Sequence, residues 1–203
     1  DELEKRTLRT ELNYLKAQIN PHFFMNTLNN IHALIDIDGT KAKRTVVELS
    51  KLMRYVLYEA EKPLITLDKE VEFIENYIAL MRIRYTEDVE ITSIYPQAIP
   101  YIQIPPLLLI TLIENAFKHG ISGEKASFIH ISLQEFPEGK VEFISRNSYF
   151  PKSESDKSGS GIGLELVGKR LELLYPDSYQ WETTIDEDVY TTMLLIDTKN
   201  KTG

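Results

Sequence analysis

The sequence contains no cysteine among its 203 residues, which excludes disulfides, thiolate metal sites and cysteine nucleophiles. It also lacks a long apolar run, since the longest, Ile104 to Ile113, falls well short of the roughly 18 residues that a membrane-spanning helix needs. Basic residues are fewer than acidic ones, 23 against 31, so the formal charge is −8. Nucleic-acid backbones bind basic faces, and we therefore expect no nucleic-acid partner.

The chain starts at Asp1 inside a charged helical pattern, without an initiator methionine or a signal-like segment. Apolar residues then recur at steps of four, three and four, at Leu8, Leu12, Leu15 and Ile19. That spacing is a heptad seam, typical of a helix that meets a partner helix. We therefore expect a helix that arrives from an upstream segment missing from this sequence.

Helical spacing of apolar residues predicts a helical hairpin over residues 1–62. Two helices bury little apolar surface alone, so we expect a second copy of the chain to complete a four-helix bundle. Over residues 63–203, helical segments alternate with short β-branched runs, most of them arranged as hairpins. Pro105-Pro106 should open an apolar helix that runs to about His119. The fold class is thus predicted to be α+β, with an α/β sandwich following the hairpin.

The stretch QINPHFFMN places a proline inside a helical pattern and a histidine directly after it. Pro21 removes one backbone hydrogen bond and clashes with the carbonyl of Ala17, so a continuous helix would kink there at a cost of about 3 kcal/mol. The kink could present His22 as a nucleophile. Alternatively, Asn20 caps a new helix and His22 is an ordinary polar residue of its first turn. The choice depends on whether the chain supplies something for His22 to attack.

The stretch ENAFKHG brings four polar side chains to neighbouring strips of one helix. Asn115, Lys118 and His119 share a face, and Glu114 lies beside Lys118. Amide and carboxylate oxygens with a nearby cation can hold Mg²⁺ and a polyphosphate. The alternative is an ordinary helix end, since lysine and histidine favour a last turn and glycine commonly follows it.

Three glycines at alternate positions, Gly159, Gly161 and Gly163, lead into a helical pattern after a serine-rich polar stretch. Glycine lets the backbone approach an anion closely, and a helix N-terminus directs its free N–H groups at that anion. The run matches neither the dinucleotide-binding fingerprint nor a Walker A loop. By itself it could also be a flexible linker.

Three stretches, QINPHFFMNTLNNI, LLLITLIENAFKHG and GSGIGLELVGKRLELLYP, resemble in this order the signatures of LytS-type sensor histidine kinases. In that family a PHF-containing dimerisation segment precedes an ATP-binding domain of the GHKL superfamily. The resemblance implies that His22 accepts the phosphoryl group and that Asn115 coordinates Mg²⁺. It further implies phosphate-side roles for Lys118 and His119, and an ATP lid over residues 149–158. Gly159, Gly161 and Gly163 match the glycine box beside the phosphates.

Two further residues receive roles beside these. Asn26 lies one helical turn after His22 and could orient its imidazole or a water molecule. Many histidine kinases place an acid next to the phosphorylated histidine, but here that neighbour is Phe23. Any base must therefore come from elsewhere, and Glu114 is the candidate.

The chain departs from the family at the Asp-x-Gly-x-Gly box, whose aspartate accepts a hydrogen bond from the adenine amino group. The corresponding strand end reads Ile144-Ser145-Arg146-Asn147-Ser148-Tyr149, in which Asn147 is the candidate for that position. Its amide oxygen accepts from an amine, but the resulting bond is neutral and therefore weaker than a charge-assisted one.

The resemblance implies the cytoplasmic transmitter region of a membrane-bound two-component sensor kinase. It would act as a homodimer, use ATP and Mg²⁺, and pass the phosphoryl group to a response-regulator receiver domain. We expect the fragment itself to be soluble, on the cytoplasmic side of the membrane, and joined to it by the missing upstream segment. The alternative is a nucleotide-responsive dimeric scaffold without kinase activity, which the altered adenine box favours. A GHKL-type serine kinase is a third interpretation, disfavoured by the hairpin that carries His22.

Overall fold

A computed structural model describes residues 21–85, 88–150 and 162–199. The described residues form two compact units. Unit 1 contains residues 21–65, 69–85 and 105–107, and unit 2 contains residues 66–68, 88–104, 108–150 and 162–199. The heptad seam before Pro21 and the kink predicted there lie outside the described residues. The predicted domain boundary between residues 62 and 63 stays a prediction.

The N-terminal helices form as expected from their apolar spacing. Helix α1 covers Pro21–Ile37, helix α2 covers Gly39–Arg54, and a single π-helical turn covers Tyr55–Glu59. Asp38 separates the two helices, and its carboxylate accepts a hydrogen bond of 2.9 Å from the backbone N–H of Lys41. This N-cap satisfies one free donor of the first turn, so α2 begins where the chain reverses. The two helices pack against each other as a hairpin.

Helix α3, Leu67–Arg84, supplies the apolar side chains that complete the core of unit 1. The ring of Tyr77 stacks on that of Phe23 at 5.1 Å, and the ring of Phe73 stacks on that of Tyr55 at 4.1 Å. All four rings are buried. Contacts of this kind hold helix α1 and the π-helical turn to α3.

A buried carboxylate lies inside unit 1. Glu70 is fully buried and accepts hydrogen bonds from the Tyr55 hydroxyl and from the backbone N–H of Leu107, the latter at 3.2 Å. A buried carboxylate is tolerated only when donors surround it. Glu70 therefore joins the π-helical turn, helix α3 and the segment around Leu107.

The helix predicted to open at Pro105-Pro106 begins later. Helix α4 covers Ile110–His119, and the two prolines precede it in a turn. Leu107 adopts a left-handed backbone with φ of 60°. A residue in that conformation cannot belong to a right-handed helix, so the prolines do not form its first turn. The end of α4 at His119 agrees with the prediction.

Unit 2 is built on a five-stranded sheet. The strands of the chain are β1 Ile65–Thr66, β2 Val89–Ile94, β3 Gln103–Ile104, β4 Ser127–Phe136, β5 Lys140–Ser148, β6 Tyr179–Asp186 and β7 Val189–Asp197. The order of strands in the five-stranded sheet is β2-β4-β5-β7-β6. Strand β2 pairs with β4 in parallel, and the other pairs of this sheet are antiparallel. The predicted hairpin around Pro137-Glu138-Gly139 is confirmed, with Val141 opposite Glu135.

One face of this sheet is buried and the other is partly exposed. The buried face carries alternate residues, including Ile129 and Ile131 of β4, Phe143 of β5, and Leu194 of β7. Helix α4 contacts strands β4 and β5, and it also contacts helix α5, Ile162–Leu174. This arrangement confirms the α+β prediction, with helices and a mostly antiparallel sheet. Within the described ranges, no helix combines the length and apolarity needed to cross a membrane.

Candidate functional site

Helix α4 carries four of the predicted site residues on its last two turns. Glu114, Asn115 and His119 are half-buried, and Lys118 is exposed. The preceding residues of the helix, Ile110 to Ile113, are buried and fix its orientation against the sheet. Because the buried face holds the helix in place, the polar face presents an amide, an ammonium and an imidazole together at one end of α4.

Glu114 is the one carboxyl group of α4. Burial raises its pKa from the model-peptide value of 4.5 to about 8. A raised pKa marks a group whose charge is poorly solvated, and such groups concentrate at functional sites.

Asn147 lies at the buried end of strand β5, close to the C-terminus of α4. Its side-chain Nδ2 donates a 2.8 Å hydrogen bond to the carbonyl oxygen of Ser148. Its Oδ1 is buried and accepts no hydrogen bond from the described part of the chain. A buried acceptor without a hydrogen bond lowers the stability of the protein by about 1–3 kcal/mol, and a hydrogen bond from a ligand donor would offset this loss.

Two polar residues missed by the sequence analysis share the sheet face of Asn147. Ser145 lies two residues before it on β5, and Thr192 of β7 is the cross-strand partner of Ser145. Both are buried. The alternation of β7 could have identified Thr192, because it has the same parity as the buried Leu194 and Ile196. These hydroxyls make this end of the covered face polar.

The structure describes only part of the predicted glycine box. Gly163 lies in the first turn of helix α5. Gly159 and Gly161, with the remainder of the predicted lid beyond Phe150, lie outside the described residues. The structure thus brings α4, Gly120 and Asn147 together, while the phosphate-side glycines stay predictions.

The predicted phosphoacceptor region lies on helix α1 of unit 1. The backbone of His22 belongs to the first turn of this helix, and its side chain is outside the described part of the structure. Asn26 follows one turn later and is half-buried. Phe23, directly after His22, is buried against Tyr77, which anchors this turn to α3.

The donor set suits magnesium bound together with a phosphate ligand. Among the described residues, no group of three or more His, Cys, Asp or Glu side chains could hold a metal ion by itself. Mg²⁺ commonly binds through one or two protein oxygens, keeping waters and substrate phosphates as its other ligands. The amide oxygen of Asn115 on the polar face of α4 is a ligand of this type.

Comparison with known proteins identifies the chain at the level of family. The model of the family "Histidine kinase" matches residues 10–89. The chain is 33% identical over 176 residues to sensor protein LytS of Staphylococcus saprophyticus, a match that covers 81% of this chain and 30% of that protein. It is 29% identical over 187 residues to sensor histidine kinase BtsS of Escherichia coli K12, covering 92% and 33%. The chain therefore spans about a third of the length of these curated relatives.

The fold is also shared with a solved kinase domain. The histidine kinase domain of a blue-light activated histidine kinase from Erythrobacter litoralis matches with a TM-score of 0.54 at 13% identity, covering 96% of each chain. At an identity this low, the match is evidence for a shared fold and not for a shared function. A histidine kinase segment followed by a domain of the kinase catalytic fold, in a chain this similar to LytS and BtsS, places the protein in the family of LytS-type sensor histidine kinases.

Proposed function

We propose that this chain is the transmitter region of a two-component sensor histidine kinase. It transfers the γ-phosphoryl group of Mg-ATP to His22 and then to an aspartate of a response-regulator receiver domain. One observation carries the proposal: the family-matched segment, residues 10–89, contains His22 and is followed in the same chain by a mixed α/β domain. That domain has a polar helix face and an open acceptor at Asn147.

The adenine base is assigned to Asn147. The exocyclic amine of adenine is a donor, and Oδ1 of Asn147 is a buried acceptor that no described residue uses. Because Nδ2 donates its hydrogen bond to the Ser148 carbonyl, the other end of the amide, Oδ1, is the acceptor available to the adenine amine. The bond is neutral, so we expect a lower base affinity than an aspartate in the same orientation would give.

The phosphates are assigned to the polar face of α4 and to the glycine box. Asn115 supplies an oxygen ligand for Mg²⁺, which when bound neutralises phosphate charge. Lys118 adds a cation, and His119 contributes a further polar contact on the phosphate side. The backbone N–H groups at Gly159, Gly161 and Gly163 complete the phosphate contacts.

In the chemical step, a lone pair of the neutral His22 imidazole forms an N–P bond. The bond from the γ-phosphorus to the bridging oxygen breaks at the same time, ADP leaves, and the phosphorylated ring loses a proton. An imidazole with an ordinary pKa is largely neutral at cellular pH, so it needs little activation. Asn26 orients the ring from the next helical turn. Phe23 cannot act as an acid or base, and we assign that role to Glu114.

The protein is proposed to act as a homodimer through its hairpin. Helix α1 exposes a mainly apolar stripe at steps of three, four and three, in which His32 is the polar member. A second stripe, at steps of four, three and four, runs along α2 into the π-helical turn, with Ser50 as its polar member. The apolar members of the stripes are 45–58% exposed: Met25, Leu28, Ile35, Val46, Met53 and Leu57. Spacing of this kind suits helix pairing, and a second hairpin would cover both stripes in a four-helix bundle.

The location of the protein is part of the same proposal. The relatives are named sensor proteins, and the chain matches only about a third of their length. We place this region on the cytoplasmic side of the cell membrane, joined to it by an upstream segment that receives the stimulus.

Incubation with γ-labelled ATP and Mg²⁺ tests the kinase proposal. We expect a label that is labile in acid and stable in base, absent from His22→Gln and retained by His32→Gln. His32 is a suitable control because it is an exposed histidine on the same helix. Label that persists in His22→Gln would identify another nucleophile. Nucleotide binding without any label would favour the dimeric scaffold. The neutral side chain of Asn147 in the adenine position favours the same alternative.

A further inference from the structure

Gly120 lies where no side chain fits. A Cβ atom built at this position would be 2.6 Å from the carbonyl oxygen of Ala116, 2.7 Å from Cβ of Asn147 and 2.8 Å from its Nδ2. The first two atoms belong to the backbone and to the root of a side chain, so neither moves easily. The backbone of Gly120 has φ of −94°, which any residue adopts. Glycine is therefore required here for space and not for backbone conformation.

The space left by Gly120 is filled by Asn147. The Asn147 side chain is 1% exposed and packs against the last turn of α4, where the Gly120 N–H donates to the Ala116 carbonyl at 2.7 Å. On its other side, the Asn147 amide meets the carbonyl oxygen of Ser148 at 2.8 Å. A carbonyl oxygen only accepts, so the group facing it must be the NH₂ of the amide. The Oδ1 acceptor is consequently held in a single orientation.

We propose that Gly120 is a positioning residue that, together with the Ser148 carbonyl, fixes Asn147 so that the site selects a purine with an amino group at position 6. The inference rests on the proposed nucleotide site and specifies how that site recognises the base. Adenine presents a donor to Oδ1, whereas a 6-oxo purine presents an acceptor. Accommodating the 6-oxo purine would require the amide to turn over and to face the Ser148 carbonyl with its own oxygen.

The same contacts would act differently on an aspartate at position 147, the residue type of the Asp-x-Gly-x-Gly box. An aspartate at position 147 would place a carboxylate oxygen where Nδ2 now meets the Ser148 carbonyl, because the residue is 1% exposed and Gly120 packs against this side chain. Two acceptors at hydrogen-bond distance repel each other. In this chain, aspartate should therefore bind adenine less well than asparagine.

The test compares by calorimetry the binding of ADP and of inosine diphosphate to the whole 203-residue chain. Inosine diphosphate has an oxo group in place of the 6-amino group and, with it, a hydrogen on N1. Gly120→Ala adds one methyl group at the close approach. Gly123→Ala is the matched control, because a Cβ there meets nothing within 4 Å. Asn147→Asp is the second variant, and the fluorescence of Trp181, the one tryptophan, reports whether each variant is folded.

The wild type and Gly123→Ala should prefer ADP by about tenfold or more, the value of one well-formed hydrogen bond. Gly120→Ala should lose most of that preference while its weaker affinity for inosine diphosphate changes little. Asn147→Asp should bind ADP more weakly than the wild type. Unchanged preference in Gly120→Ala, or tighter ADP binding by Asn147→Asp, would overturn the positioning role alone. A wild type that binds neither nucleotide would overturn the nucleotide site, and the positioning role with it.

Discussion

The two units bury their apolar residues to different extents. In unit 2 the covered face of the sheet is packed under helices, and Phe143 and Leu194 are almost fully buried. In unit 1 the hairpin buries Phe23 and Leu52 but leaves a stripe of large apolar residues about half exposed on each helix. A sheet covered by helices encloses its own core, whereas two helices have more apolar surface than one neighbour can cover. Unit 2 thus covers more of its apolar surface within the chain, and under the proposed homodimer a second hairpin would cover the exposed stripes of unit 1.

Removing a core ring from unit 2 should give the largest effect. Phe143→Ala should lower the free energy of unfolding by about 3–5 kcal/mol, because the lost transfer energy is joined by the cost of a cavity. Ile144→Ala is the control, since its side chain points to the half-exposed face. Urea unfolding followed by Trp181 fluorescence measures both variants. Equal losses would contradict the description of one covered and one open face.

The buried polar cluster of unit 1 should matter nearly as much. Glu70→Ala leaves the Tyr55 hydroxyl and the Leu107 N–H without the carboxylate that they share, which should cost roughly 3 kcal/mol. Glu72→Ala, on the exposed face of the same helix, should change stability by less than about 0.5 kcal/mol. Thermal unfolding by circular dichroism compares the two. A negligible loss in Glu70→Ala would mean that unit 1 depends on its apolar contacts alone.

The reliance of the hairpin on a partner can be tested by adding a charge. Leu28→Lys places an ammonium group in the exposed stripe of α1 and should weaken self-association by about 100-fold, since a desolvated charge costs several kcal/mol. Ala33→Lys adds the same group to a different exposed strip of the helix and should leave association unchanged. Sedimentation equilibrium measures the dimer constant. A monomeric wild type would refute the bundle, and with it the interpretation of the comparison.

The smallest expected effect concerns Glu114 and depends on pH. Its folded pKa of about 8 lies above the unfolded value of 4.5, so the folded state holds the proton more tightly. The contribution of Glu114 to stability is therefore greatest below pH 4.5, is lost as the pH rises towards 8, and changes little above it. Glu114→Gln should remove this slope and gain about 2 kcal/mol relative to the wild type at pH 8, allowing for partial exposure.

Unfolding in EDTA across this pH range checks the prediction, because a bound cation would change the charge near Glu114. Glu124→Gln, an exposed residue after the helix, is the control and should leave the slope unchanged. A stability difference between the wild type and Glu114→Gln that does not vary between pH 4.5 and 8 would mean that Glu114 is well solvated.

Most elements of the fold were predictable because their sequence periods are unambiguous. The alternation on either side of Pro137-Glu138-Gly139 gave both strands of a hairpin, and the spacing of Leu67, Val71, Ile74 and Ile78 gave helix α3. The predicted start of α4, at Pro105-Pro106, was wrong. Prolines often open helices, and no sequence signal shows that Leu107 takes a left-handed backbone while its N–H bonds to Glu70, 37 residues earlier.

For the candidate site, the sequence by itself determined which chemical groups are available and which of them share an element. Asn115, Lys118 and His119 share a helix face because their spacing is helical. Only the tertiary structure decided what surrounds those groups. The raised pKa of Glu114 depends on its burial, and the close approach of Gly120 to Asn147 joins segments distant in sequence. Periodicity is a local property of the chain, whereas burial and steric contact are created when distant segments pack together.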